Sequence, residues 1–259
     1  MHESRPWRVV VVLAAAAASC QLPRQQPATP QRPTVSVNTT TTAEGTLELE
    51  AGVNVDPADA FDSPLRLKYG TGPATELFAG VSPYQRFDAP GADVDGSSDL
   101  VLGARHRLWQ GGEDLPSGAV VLATKLPTAS TASGLSSGET DLRAALVLNQ
   151  SVGPVGLNAF YQYGALGDPA GAGTVSEHTG TLTASVALTD RWSALAELAG
   201  VVVPAQDLES WFVITGVAWA AEPWLVLDAG VTVGLSDDAP DLQVFVGFTQ
   251  NFGGPARAR

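Results

Sequence analysis

From Glu44 to Phe252 most of the chain is built from short stretches in which apolar and polar side chains alternate with a period of two. Successive side chains of an extended strand point to opposite faces, so this pattern predicts strands with one flank in apolar surroundings. In TLELEAGVN, Leu47, Leu49, Ala51 and Val53 share one face, and Glu48 and Glu50 share the other. In PLRLKYG, Leu65, Leu67 and Tyr69 oppose Arg66 and Lys68. In DLVLGARHRL, Leu100, Leu102, Ala104, His106 and Leu108 oppose Asp99, Arg105 and Arg107. Leu142, Ala144, Leu146 and Leu148 likewise oppose Asp141, Arg143 and Asn149, while Val155, Leu157, Ala159, Tyr161 and Tyr163 oppose Asn158 and Gln162.

Candidate strands fall near 45–54, 63–70, 74–82, 98–108, 117–127, 139–150, 154–164, 178–188, 190–201, 208–220, 223–234 and 241–252. That is about twelve, an even number, and most have the length a tilted membrane strand needs. Short connectors such as GTGP, QSVGP, TDR and AAEP alternate with longer ones such as DPADAFD, PYQRFDAPGADVDGSSD, TASTASGLSSGE and ALGDPAGAGTVSE. WQGGEDLPS is longer than its place predicts. Tight turns at one end and long loops at the other describe an outer-membrane barrel. Tyr69, Trp109, Trp192, Trp219, Trp224 and Phe252 all fall near the short-turn ends of their strands, where an interfacial aromatic belt sits. The fold expectation is therefore an all-β, single antiparallel transmembrane β-barrel over residues 44–253. AVVLATKL, WFVITGVAWA and WLVLDAGVTVG are apolar on both parities, so alternation leaves their lipid face open.

Composition narrows the function classes. Charged residues make up only 16% of the chain, and the net charge of -13 disfavours a nucleic-acid partner, since phosphate binding needs a basic surface. A single Cys excludes both an intramolecular disulfide and a thiolate zinc site. Residues 1–20 read as an export signal, with Arg5 and Arg8 before an apolar run that ends in Ala17-Ala18-Ser19-Cys20. Two readings stay open there: lipoprotein-type acylation of Cys20, or ordinary cleavage in the same small-residue stretch. Residues 21–43, rich in Gln, Pro and Thr, are expected to form a flexible periplasmic linker, and 254–259 a short basic tail.

The segments EGTLELEAGVN, GSSDLVLGARHRL, VVLATKLPTAS and WLVLDAGVTVGLSDDAPDLQVFVGFTQNF together resemble the outer-membrane transporter-like family grouped under the meta-pathway of phenol degradation. The resemblance implies a Gram-negative outer membrane and passive passage of small, aromatic or hydrophobic molecules. It also implies a C-terminal assembly signal, here Phe252, with the barrel assembly machinery and outer-membrane lipid as partners.

No cofactor or metal is expected, because His106 and His178 have no second His or Cys at ligand spacing. Ser176 with His178 is the one pair that imitates a hydrolase, and it comes without an orienting acid. What remains is the charged parity. If the greasy face meets lipid, Glu48, Glu50, Arg66, Lys68, Glu76, Arg105, Arg107, Lys125, Asp141, Arg143, Asn158, Gln162, Glu197 and Asp228 must face the lumen. Exposing Arg or Lys to hydrocarbon at the midplane costs about 2 to 4 kcal/mol. Such residues either pair across a narrow interior or line a solute path. The alternative to a transporter is a closed structural barrel whose acidic outer loops carry surface interactions.

Overall fold

The structure, a computed structural model, describes residues 25–57, 60–89, 92–168, 171 and 173–254. It contains β1 (Leu47–Asp56), β2 (Ala60–Asp62), β3 (Leu65–Gly72), β4 (Thr75–Val81), β5 (Gln85–Ala89), β6 (Ala92–Gly96), β7 (Leu100–Trp109) and β8 (Ser117–Leu126). These are followed by β9 (Asp141–Val152), β10 (Val155–Gly167), β11 (Thr174–Ala187), β12 (Trp192–Val203), β13 (Leu208–Glu222), β14 (Leu225–Gly234) and β15 (Leu242–Gly253). Twelve of them, β1, β3, β4 and β7 to β15, form one antiparallel meander that closes on itself where β15 pairs with β1. Closure removes both sheet edges, which is what allows backbone to cross hydrocarbon with every amide paired. No helix among the described residues is long and apolar enough to cross a membrane.

Alternation sets the two faces. Leu122, Leu142, Leu146, Leu182 and Val246 are among the most exposed large apolar side chains, while Glu48, Lys68, Glu76, Arg105 and Glu197 are almost wholly buried. A water-soluble fold has the opposite arrangement; here the solvent of the outer surface is lipid. At the short-turn end Trp192 and Trp219, partners in the β12–β13 register, stack with ring centroids 5.9 Å apart. At the long-loop end Tyr161 and Tyr163 hold His178, whose Nδ1 is 2.8 Å from the Tyr161 hydroxyl. The long connection after β4, read from sequence as a loop, instead carries the β5–β6 hairpin, with β5 pairing through β2 to the tip of β1.

The expectation of a free linker is corrected for the part of it the structure describes. Residues 28–43 lie inside the barrel. The segment enters at the short-turn end, where Ala28 donates to the Pro223 carbonyl at 2.9 Å, and returns there, where Gly45 donates to Gly70 at 2.7 Å. Between them Gln31, Ser36, Thr39, Thr41 and Thr42 are buried. Its composition cannot build an apolar core, but a polar lumen supplies what a polar segment needs, namely hydrogen-bond partners in place of water. The proposed signal peptide, Cys20 and all but the first residue of the basic tail lie outside the described residues.

Candidate functional site: a lumen occupied by the chain's own N-terminal segment

The site is assembled from the inward parity of the strands and the hairpin-like segment they enclose. Four wall glutamates accept from backbone amides of that segment. Glu48 receives Thr29 at 2.9 Å, Glu50 receives Gln31 at 2.6 Å, Glu76 receives Thr42 at 2.7 Å and Glu197 receives Val35 at 2.7 Å. Bonds from amides to ionised acceptors are stronger than neutral ones, and each satisfies an N–H that no sheet ladder reaches. Glu197 also takes the Ser36 hydroxyl and, at 2.7 Å, that of Thr183. Donors travel the other way too: Lys68 reaches the Thr29 carbonyl at 2.8 Å, Arg105 the Asn38 carbonyl at 2.9 Å, and Asn158 the Val37 carbonyl at 3.2 Å.

The same wall charges pair with one another. Lys68 bridges Glu48 at 2.5 Å and Glu50 at 2.7 Å, and Arg105 lies 2.9 Å from Glu76. Nearer the long loops, Lys125 joins Asp99 at 3.2 Å and Asp141 at 3.3 Å, and Arg143 joins Asp141 at 3.5 Å and Glu177 at 2.9 Å. Gln162 contributes a longer contact to Glu177. Arg107, near the short-turn end, donates to the Pro73 carbonyl at 3.0 Å. Asp228 meets Arg32 at 3.5 Å. Arg32 occupies a recess at the seam of the barrel: a Cβ on Gly247 would come within 2.5 Å of its Nε, and one on Gly52 would strike its Nη2. Asp99 sits just before β7, at the rim. Burial favours its neutral form, but the Ala129 amide, the Ser136 hydroxyl and Lys125 outweigh this and hold its carboxyl below the ordinary range.

Two of the strands that are apolar on both parities, β8 and β13, find their explanation here. Ala119, Val121, Ala145, Val147 and Phe160 form a buried patch on the inner wall, and Val37 of the enclosed segment packs on it with Phe78. Above the apex of the segment, toward the long loops, a cavity of about 490 Å³ remains, bounded below by Arg32 to Val35 and walled by Phe78, Phe212, Ile214 and Phe245. Arg66 lines this cavity, with its guanidinium 5.1 Å from the centre of the Phe78 ring.

Ser176 and His178 share the outer face of β11 but are not joined; the His178 hydrogen bond goes to Tyr161. His106, also on the outer parity, bonds to Thr75 at 2.8 Å. Phe252 lies one residue before the end of β15.

Sequence reasoning missed Glu177, because the strand was started at 178 rather than at Thr174, and it missed the whole enclosed segment. One signal for the latter was available. Glu197 has no Lys or Arg on either neighbouring strand, β11 or β13, so a buried carboxylate there calls for donors from elsewhere in the chain.

No family model and no curated protein matches the sequence. Solved structures do match in fold. The NanC porin aligns at a TM-score of 0.54 with 8% identity, over 79% of this chain and 98% of that one. The KdgM porin, solved in complex with disordered oligogalacturonate, aligns at 0.55 with 9% identity, over 78% and 98%. At such identities the likeness is one of architecture: the chain has the fold of outer-membrane β-barrels.

Proposed function

We propose that this protein is a passive channel of a Gram-negative outer membrane whose lower lumen is closed by its own residues 28–43. The observation that carries the reading is the division of the interior: a segment docked on wall carboxylates below, and a cavity of about 490 Å³ above. A barrel needed only as a surface scaffold has no use for a solute-sized chamber. The porin folds it resembles support passage of small solutes. The likeness of its strand segments to the phenol-degradation transporters, and the three Phe side chains of the chamber wall, favour solutes with an aromatic or otherwise apolar body. In this reading the wall charges first dock the segment and, once it moves, line the path.

Planar bilayers test the proposal, with the chain as it stands compared with one lacking residues 25–43. Low conductance from the former and a marked rise in the latter are expected. If both stay at the level of a protein-free membrane while the barrel is folded, the channel reading is lost.

A further inference from the structure

We propose that the chamber above the enclosed segment is a recognition site for a small amphipathic monoanion, an aromatic or short-chain carboxylate, with Arg66, held against the Phe78 ring, as its charge receptor. The inference deepens the channel reading by naming the solute class, and it rests on that reading only for its role in transport.

Four charged side chains line the chamber: Arg32, Glu50, Arg66 and Asp99. Three are committed. Arg32 pairs with Asp228, Glu50 with Lys68 and the Gln31 amide, and Asp99 with Lys125, Ser136 and the Ala129 amide. Among the described residues Arg66 makes no hydrogen bond and no ion pair within 4 Å; its cross-strand neighbour Glu50 attracts it from farther off but is already held by Lys68 and the Gln31 amide. The residue is half-buried and its guanidinium lies against Phe78. A guanidinium in such a place has lost part of its water and presents a planar fork suited to a carboxylate. The ring beneath fixes its orientation and adds a cation–π contribution.

The rest of the wall suits the apolar body of such a ligand. Phe245 packs over Gly216 and Gly230, where a Cβ would lie 3.2 and 2.5 Å from its ring edge, so the two glycines make room for the aromatic. Phe212 and Ile214 continue this surface. A guanidinium with open hydrogen-bonding positions beside the apolar side chains Phe212, Ile214 and Phe245 is complementary to one negative charge on an apolar frame. The net charge of -13 disfavours more highly charged anions.

Calorimetric titration of the purified full chain in detergent micelles provides the test, with benzoate as probe, benzyl alcohol as its neutral counterpart, and protein-free micelles as blank. Benzoate should bind at least about tenfold more tightly than benzyl alcohol, the factor expected of one charge-assisted hydrogen-bonded contact. Arg66→Gln should remove that preference, and Arg66→Lys should keep part of it. Circular dichroism confirms that the variants are folded. Equal affinity for the two probes, no benzoate binding, or an unchanged preference in Arg66→Gln would each overturn the proposal. The bilayer experiment separates the two claims: benzoate binding without conductance in the chain lacking 25–43 removes the channel and keeps the site, and the converse removes the site alone.

Discussion

Replacing Glu197 by Ala should loosen the apex of the enclosed segment while leaving the barrel intact. Glu197 is buried and accepts from the Val35 amide at 2.7 Å, the Ser36 amide at 3.3 Å and the Ser36 hydroxyl. Removing the carboxylate orphans two backbone N–H groups in the docked state, whereas water satisfies them once the segment moves. At about 1 kcal/mol each, the low end of the penalty for a buried unsatisfied donor, the docked state loses roughly 2 kcal/mol, so the displaced population rises about 30-fold. The barrel ladders on either side, β11–β12 and β12–β13, are untouched. A cysteine placed at Thr39, which is buried, reports this directly in a chain whose Cys20 is replaced by Ser. Labelling by a membrane-impermeant maleimide should accelerate by about that factor when Glu197→Ala is added. An unchanged rate in a folded protein would refute the idea that wall carboxylates hold the segment.

Three further outcomes follow from the same geometry. Glu76→Ala leaves Arg105 buried without its carboxylate and should cost about 3 to 5 kcal/mol in reversible urea unfolding from lipid vesicles; a loss below 1 kcal/mol would contradict the pairing. Leu146→Arg puts a cation on the lipid face and should cost about 2 to 4 kcal/mol in the same assay if the position lies near the midplane, whereas a neutral result would mean that this face does not meet hydrocarbon. The depressed Asp99 carboxyl contributes stability that is fully present above its ordinary value of 3.8 and is lost as pH falls through its lower folded value. The protection factor of the Ala129 amide, its exchange rate relative to the intrinsic rate at each pH, should therefore fall below about pH 4 and lose that pH dependence in Asp99→Asn; a protection factor unchanged down to pH 2 would exclude this.

The barrel was legible because lipid imposes a strict rule on one face of every crossing strand, and Leu47 to Val53 or Leu142 to Leu148 obey it residue by residue. The interior obeys no such rule. Ala119, Val121 and Ile214 face inward as readily as Glu197 does, because what they meet is protein rather than water. Residues 28–43 were illegible for a related reason. Gln, Thr and Pro look the same in a solvated tether as in a segment buried against polar walls, and only the partners distinguish them. The β5–β6 hairpin was hidden by the Asp, Gly and Pro that dominate its stretch, which read as turn residues. The chamber drew on Phe78, Phe212 and Phe245, residues that alternation registers only as apolar positions on the inner parity.

Arg32 touches the Val246 carbonyl on the last strand, and its recess is shared between Gly52 of the first strand and Gly247 of the last. Thr29 does similar work through Glu48, whose register partner is Asn251. The two ends of the sheet thus share a clasp made from residues that precede both in the chain. The Arg32 recess is complete only once first and last strands have met, so the seating of this one guanidinium is coupled to the closing of the wall.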